Sequence, residues 1–386
     1  MTIAIDARDI CALDGSRGAG IGHYTWSIVR ALCALTSHPL VVAVPAAFSR
    51  REEEELKAVR PQADKATGLR VVRMGRRRLP FVGRHLVTPI RLMMERPDLL
   101  FCPSGEAPLG WRGPSVVTVH DLSVYDHPDW FPEGDRDNWS RRLIFPRSVR
   151  RAAAVIAVSR ATRASLAARF PESSGKTVVI HEGVSLPDAF ARASQPDDLV
   201  LSIGTVEPRK NYATAIRAFD AYLRRCPDRA AGSRYVIAGA IGWKAEDTLA
   251  AADAVNEAWR AHAPDGLVRV LGAVTEQEKW SLLARAGALL IPSWHEGFGL
   301  PALEAMAAGV PVIASTGGAL PEVVGDAGIL VAPDDAEAMS LALAQCLLLP
   351  DGTKELVEEG KRRAAAFTWE RAARETLKVL EEVVRV

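Results

Sequence analysis

The sequence predicts two doubly wound α/β domains. Three observations carry that expectation. The length of 386 residues exceeds what one hydrophobic core organises. Short apolar runs recur, each followed by a helix-like stretch, as in an open α/β sheet. A stretch rich in Pro, Asp and Ala, Leu186 to Asp198, divides those runs into two sets.

The first set is Ile3–Ile5, Leu40–Val44, Leu99–Cys102, Val116–Val119, Val155–Val158 and Val178–Ile180. Each run is too short for a helix and mostly apolar, as a strand buried on both faces requires. The second set is Val200–Ile203, Tyr235–Ala238, Val268–Leu271, Ala288–Ile291, Val310–Ala314 and Ile329–Val331. The expected domains are 1–190 and 196–370, with 371–386 as a terminal helix. The sequence after Phe367 reads as an amphipathic helix with Thr368 as its N-cap.

Composition narrows the class. Hydrophobic residues make up 48% and charged residues 25%, with a net charge of +1, which argues against nucleic-acid binding over the whole surface. Five scattered cysteines form no paired spacing, so a reducing cytosol fits best. The first residues lack the basic start and long apolar stretch of a signal peptide, and no run is long enough to span a membrane. The expected location is cytoplasmic, with peripheral attachment at the inner membrane left open. Two segments are locally basic: Arg70 to Arg96 holds eight arginines against one glutamate, and Arg136 to Arg151 six against one aspartate. Leu79, Phe81, Met93, Met94, Trp130, Phe131 and Trp139 stand near them, a mixture suited to anionic lipid or a lipid-diphosphate acceptor; solvated helix faces over ordinary core residues explain it as well.

In open sheets, ligands bind beyond the carboxyl ends of strands, where loops enter helices. The run Ala288 to Gly309 is such a strand, loop and helix, with Pro301 at the helix start and Gly309 at its end. Gly297 and Gly299 let the backbone approach a ligand, and the amides of Phe298, Gly299 and Leu300 suit a phosphate. Glu296 and Glu304 would repel that phosphate unless they accept hydrogen bonds from hydroxyls on either side of it. Hydroxyls flanking a diphosphate describe a nucleotide-sugar. Arg209 and Lys210, in the loop after Gly204, carry charge for a diphosphate leaving group where a metal ion would otherwise serve. In the first domain, Gly18-Ala-Gly20-Ile-Gly22 opens the first long helix, and its amides suit the same phosphate from across a cleft. His120 ends a strand and suits a hydrogen bond to the transferred sugar, or a packed structural role. Asp135 and Asp137 have metal-pair spacing but lie in a polar loop, and no His, Cys and carboxylate cluster suggests a metal site.

These residues resemble glycosyltransferase family 4, over nearly the whole chain. Glu296-Gly-Phe-Gly-Leu-Pro-Ala-Leu-Glu304 matches the family's paired-glutamate motif, with seven residues between the acids. Gly204-Thr-Val-Glu-Pro-Arg-Lys-Asn211, Gly20-Ile-Gly22, Val119-His-Asp-Leu122, Val158-Ser159, Leu320 to Leu330 and Phe367-Thr-Trp-Glu-Arg371 also match. The resemblance implies a GT-B fold, two Rossmann-like domains facing a cleft, with a closing helix crossing back onto the first. It implies retaining, metal-independent transfer with no cofactor beyond the nucleotide-sugar. Arg209 and Lys210 would hold the donor diphosphate, Glu296 the sugar hydroxyls and Glu304 the ribose; His120 would lie near the transferred sugar. Ser185 departs from relatives that carry an acid after Gly-Val. Leu320 to Leu330 and the Glu-Pro-Arg-Lys loop look most like bacterial mannosyltransferases of polysaccharide assembly, which favours GDP-mannose over a UDP-sugar, and a glycan or lipid-linked saccharide as acceptor.

A nicotinamide dehydrogenase fits poorly, because the first glycines come late and Leu40–Val44 ends at Pro45 rather than at an acid. A phosphorylase would need a lysine-bound cofactor with no candidate here. A non-catalytic nucleotide-sugar binder would have no use for Glu296, Lys210 and His120 together.

Overall fold

A computed structural model describes residues 1–10, 20–60, 68–75, 80–133 and 140–385. It divides into two compact units: Met1–Tyr125 with Gly134–Gly183 and Thr368–Val386, and Asp126–Glu133 with Val184–Phe367.

The first unit is built on seven parallel strands, β1 (Ile3–Asp6), β2 (Leu40–Pro45), β3 (Leu69–Met74), β4 (Leu99–Cys102), β5 (Ser115–Val119), β6 (Ala154–Ala157) and β7 (Thr177–Val179). Their order in the sheet is β3-β2-β1-β4-β5-β6-β7. The order reverses between β1 and β4, so their carboxyl ends open a crevice where ligands bind in this architecture. β3 was not among the expected strands. Arg70 and Arg73 break its apolar run, and it is tolerated because it lies at the sheet edge, where only half of each residue is covered.

The terminal helix, Trp369–Arg385, belongs to this unit. It buries Trp369, Ala372, Ala373, Thr376, Val379 and Leu380, one helical face, and packs on the helix Ile21–Leu35. Thr368 Oγ1 accepts from the Arg371 amide at 3.1 Å, capping the first turn.

The second unit carries β8 (Leu199–Ile203), β9 (Arg234–Ala238), β10 (Val268–Gly272), β11 (Ala288–Ile291), β12 (Val312–Ser315) and β13 (Ile329–Val331). The parallel order β10-β9-β8-β11-β12-β13 reverses between β8 and β11. Val200, Leu290 and Ile313 from the sheet meet Ile216, Phe219 and Leu343 from helices in a closed core. Truncating such a side chain to alanine typically costs about 2–5 kcal/mol.

Two segments differ from the linear reading. Asp126–Glu133 lies between first-unit strands in sequence yet packs in the second unit: Trp243 Nε1 donates to Trp130 O at 2.7 Å and Lys244 Nζ to Asp129 O at 2.6 Å. Phe131 is buried with its ring 5.7 Å from that of Trp243. Phe131 is thereby packed in the second unit and Trp130 is held there through its carbonyl; Leu79 and Trp139 lie outside the described residues. The Pro, Asp and Ala stretch is docked rather than loose. Arg192 donates to the carbonyls of Leu283, Ala284 and Ala286, closing the end of the helix Glu276–Arg285.

Candidate active site

The loops after β8 and β11 flank the reversal of the second sheet, and they carry Arg209, Lys210 and Glu296. Gly204 follows β8 at φ +143°; a Cβ there would press on Lys210 Cε at 3.2 Å, so glycine leaves room for the lysine to fold back. Asn211 follows in the left-handed conformation, and its amide group donates to Pro292 O and Pro333 O, tying the β8 loop to the end of β11. The Trp294 amide donates to Arg209 O at 2.9 Å and Arg209 Nη1 to His295 O at 3.0 Å, lacing the two loops together.

Glu296 sits buried at the centre. Lys210 Nζ donates to its Oε1 at 2.7 Å, Ser293 Oγ to the same oxygen at 2.6 Å, and Arg209 Nη1 to Oε2 at 3.3 Å. Arg209 Nη2 also donates to Glu207 Oε1 at 2.6 Å. Burial would raise the Glu296 carboxyl, but Lys210 and Arg209 outweigh it and hold it at about 2. A folded-state value below the ordinary carboxylate value of about 4 contributes stability at neutral pH that is lost as pH falls from about 4 toward 2. Denaturant melts of wild type should therefore weaken across that acid window, and Glu296→Gln should flatten this part of the profile; equal slopes in the two proteins would contradict it.

The two cations are thus neutralised by two carboxylates, Glu207 and Glu296. The sequence suggests surplus positive charge in this loop; the structure instead pairs Lys210 and Arg209 with Glu296 and Glu207. Glu207 and Ser293 were passed over as site residues because a proline-flanked acid and a loop serine have no distinctive pattern.

Gly297, Phe298 and Gly299 lead into the helix Leu300–Ala307. Gly299 is its N-cap at φ +103°, which only glycine adopts cheaply; Pro301 lies in the first turn and Gly309 follows its end at φ +73°. Glu304 belongs to a second buried pair rather than to the Glu296 network. Lys279 Nζ donates to Glu304 Oε1 at 2.6 Å and lies 2.9 Å from Glu276 Oε2. Burial lowers the Lys279 ammonium, but Glu304 and Glu276 outweigh it and raise it. Glu304 Oε2 has no hydrogen-bond donor among the described residues and remains available as an acceptor. Lys279 was missed because a lone lysine on an amphipathic helix reads as solvent-facing, and only the fold brings it to Glu304.

In the first unit, Gly20 is the N-cap of the helix Ile21–Leu35 at φ +70°, Gly22 is buried in its first turn, and Gly18 lies outside the described residues. His120 is engaged at both nitrogens: Nε2 is 2.8 Å from Pro103 O and Nδ1 3.2 Å from Glu182 Oε1. Its ring meets that of Tyr24 edge-on at 4.6 Å. The sheet reversal between β1 and β4 holds a charged cluster that sequence spacing does not reveal. Arg8 pairs with Asp6 through two nitrogens, Arg84 pairs with Asp9 at 2.8 Å, and Glu106 lies 3.8 Å from Arg84 and accepts from Ser140. Two guanidinium groups face three carboxylates, so no positive charge is in surplus. Among the described residues no group of three or more His, Cys, Asp or Glu could hold a metal ion; Asp135 and Asp137 lie outside them. Among the described residues no helix is long and apolar enough to cross a membrane.

Two reversed parallel sheets with a glycine-led helix and paired buried glutamates after the second sheet's switch point define a glycosyltransferase of GT-B fold. The chain belongs to glycosyltransferase family 4: residues 18–187 match the family model "Glycosyltransferase Family 4" and residues 188–363 "Glycosyl transferases group 1". It is 31% identical over 276 residues to O-antigen chain mannosyltransferase B of Escherichia coli, covering 68% of this chain and 69% of that one. It is 41% identical over 122 residues to the MMP alpha-(1->4)-mannosyltransferase of Mycolicibacterium hassiacum, covering 31% and 30%. A D-inositol 3-phosphate glycosyltransferase of Nocardioides sp. is 28% identical over 285 residues, 70% of this chain and 62% of that one. Among solved structures, sucrose-phosphate synthase from Thermosynechococcus elongatus superposes with TM-score 0.71 at 21% identity, covering 99% and 98% of the two chains. Anabaena Alr3699/HepE in complex with UDP and glucose superposes with TM-score 0.70 at 18% identity, covering 99% and 100%.

Proposed function

We propose that the chain moves mannose from GDP-mannose to a hydroxyl of a glycan or lipid-linked saccharide, retaining the anomeric configuration and using no metal ion or other cofactor. The buried Lys210–Glu296–Arg209 network at the β8–β11 switch point carries this reading. It places two cations and an ionised acid beside a glycine-led helix start, the set a diphosphate bordered by sugar hydroxyls needs.

In this reading the diphosphate takes Lys210 and Arg209 from Glu296, and the backbone from Gly297 to Leu300 receives its oxygens. Glu296, released from its cations, accepts from the sugar hydroxyls. The C1–O bond breaks with its electrons leaving on the nucleoside diphosphate, whose charge the two cations and the helix start stabilise in place of a metal. The acceptor oxygen bonds to C1 on the same face, and its proton departs with the diphosphate. Glu304 takes a ribose hydroxyl on Oε2, with Lys279 fixing the carboxylate through Oε1. His120 touches the transferred sugar only by giving up Glu182 or Pro103.

The first unit carries the acceptor. The charge-compensated guanidinium groups at the β1–β4 switch point suit an uncharged, hydroxyl-rich acceptor group better than a phosphate. Peripheral contact with the cytoplasmic face of the membrane completes the reading. Mannose is supported by the names of two of the relatives just given, the mannosyltransferases of Escherichia coli and Mycolicibacterium hassiacum. The UDP-bound structural neighbour favours a second reading, a UDP-sugar donor in the same site. The discriminating experiment is donor hydrolysis by the purified chain across GDP- and UDP-linked sugars.

Lys279→Met should raise the donor KM about tenfold with kcat little changed, as expected for one buried charge-assisted hydrogen bond, and Lys279→Arg should recover part of it. An unchanged KM in Lys279→Met would remove Lys279 from the donor site.

A further inference from the structure

A cavity of about 310 Å³ opens in the first unit at the amino end of β5, where the helix Phe145–Arg151 ends, and so at the edge of the sheet opposite the switch-point loops. Its wall is held in place by hydrogen bonds. The Ala107 amide donates to Ser148 Oγ at 2.9 Å, and that hydroxyl donates to Ile144 O at 2.7 Å, which pins the loop 107–114 to the helix. Trp111 Nε1 donates to Pro114 O at 3.0 Å. Gly113 lies so close to the Trp111 ring that a Cβ would stand 3.1 Å from it, so this turn can close over the indole only with glycine there.

The charge that lines this cavity has one sign. Arg112, Arg147 and Arg151 border it, and no acidic residue does. All three are exposed, and none has a hydrogen bond or an acidic partner among the described residues. In the same unit Arg8, Arg70, Arg73, Arg84 and Arg150 each meet a carboxylate. The helix end accounts for neither Arg147 nor Arg151. Its last carbonyls are met by Lys176, whose Nζ donates to Arg150 O and Ala152 O at 2.7 Å each, and Arg150 is taken by Glu172. Like charges around one hollow repel, and an anion seated among them removes that cost. Guanidinium forks match the oxygens of a phosphate in geometry as well as in charge. The cavity holds roughly ten times the share of liquid volume of one water molecule, about 30 Å³, so a phosphate leaves room for an organic body of hexose size.

We propose that this cavity is a binding site for a small organic phosphate of hexose size, with the phosphate on Arg112, Arg147 and Arg151 and the organic body against the wall formed by 108–114. The residues are all of the first unit and none belongs to the Lys210–Glu296–Arg209 network, so the site takes its ligand independently of the donor reading.

The test is calorimetric titration of glucose 6-phosphate into the full chain at about 150 mM salt, where exposed charges are screened beyond roughly 8 Å. Wild type is expected to bind saturably, with the same affinity in the presence of saturating GDP and in Arg209→Ala. Arg147→Ala/Arg151→Ala should weaken that binding roughly 10–100-fold, and Arg112→Ala about tenfold. Inorganic phosphate should bind to the same residues about tenfold more weakly than the sugar phosphate. The three side chains are exposed and unpartnered, so unchanged thermal melts of the variants show that folding is intact. Absence of binding at this salt, or equal binding by wild type and Arg147→Ala/Arg151→Ala, overturns the proposal. Displacement by GDP overturns it too, since the ligand would then lie in the donor site. Inorganic phosphate binding as tightly as glucose 6-phosphate reduces the cavity to a site for an adventitious ion only. GDP binding by Arg147→Ala/Arg151→Ala, expected to match wild type, reports the donor site separately.

Discussion

Glu296→Ala is expected to abolish sugar transfer while nucleotide diphosphate binds as well as before or severalfold more tightly. The expectation comes from the pairing in the buried network. Glu296 engages Lys210, Arg209 and Ser293 at once, and in the proposed reading a diphosphate takes those cations from it. Removing the carboxylate frees Lys210 fully and Arg209 in part, so the phosphate side of the site gains. The sugar side loses its acceptor, and interactions of this kind, made as charge develops, are worth roughly 10²–10³ in rate. Single-turnover transfer and GDP binding on the same variant separate the two. Normal turnover would remove Glu296 from the chemistry, and loss of both transfer and GDP binding would indicate that Glu296 holds the loops together and does no more.

The second large effect is expected from Arg209→Ala. Its guanidinium bonds Glu207, Glu296 and His295 O while joining the β8 and β11 loops, so its loss removes a diphosphate donor and leaves two buried carboxylates with less compensation. A charge-assisted hydrogen bond is worth about 1.5–3 kcal/mol, so donor affinity should fall by roughly 10–100-fold. Arg209→Lys should recover little, because a point charge cannot serve Glu207, Glu296 and a phosphate in the fork geometry of a guanidinium. Donor binding by calorimetry checks this; unchanged affinity in Arg209→Ala would leave Lys210 as the phosphate cation.

Much of the fold is legible in the sequence, because buried parallel strands are written as short apolar runs and helix starts as Gly, Pro and Asn at fixed offsets. β3 was not legible: at the sheet edge its residues need no continuous apolar run, and Arg70 and Arg73 conceal it. The assignment of Asp126–Glu133 to the second unit was not legible either, since it depends on Trp243 and Lys244, more than a hundred residues further along the chain. At the site, Glu296, Arg209 and Lys210 could be picked out because charged residues in loops after two strands of one sheet meet at its carboxyl edge. Their mutual neutralisation could not, because it depends on rotamers and on Glu207. Lys279 and the Asp6, Arg8, Asp9, Arg84 and Glu106 cluster show the same limit: charges far apart in sequence acquire a partner only when the fold supplies one.

The central claim is that the β8–β11 switch point holds a nucleotide-sugar diphosphate on Arg209 and Lys210. Calorimetric titration of GDP-mannose into wild type and Arg209→Ala tests it most directly. The predicted result is saturable binding by wild type, weakened roughly 10–100-fold in the variant. Equal binding by the two proteins, or no binding of GDP-mannose and none of a UDP-sugar in its place, would contradict it.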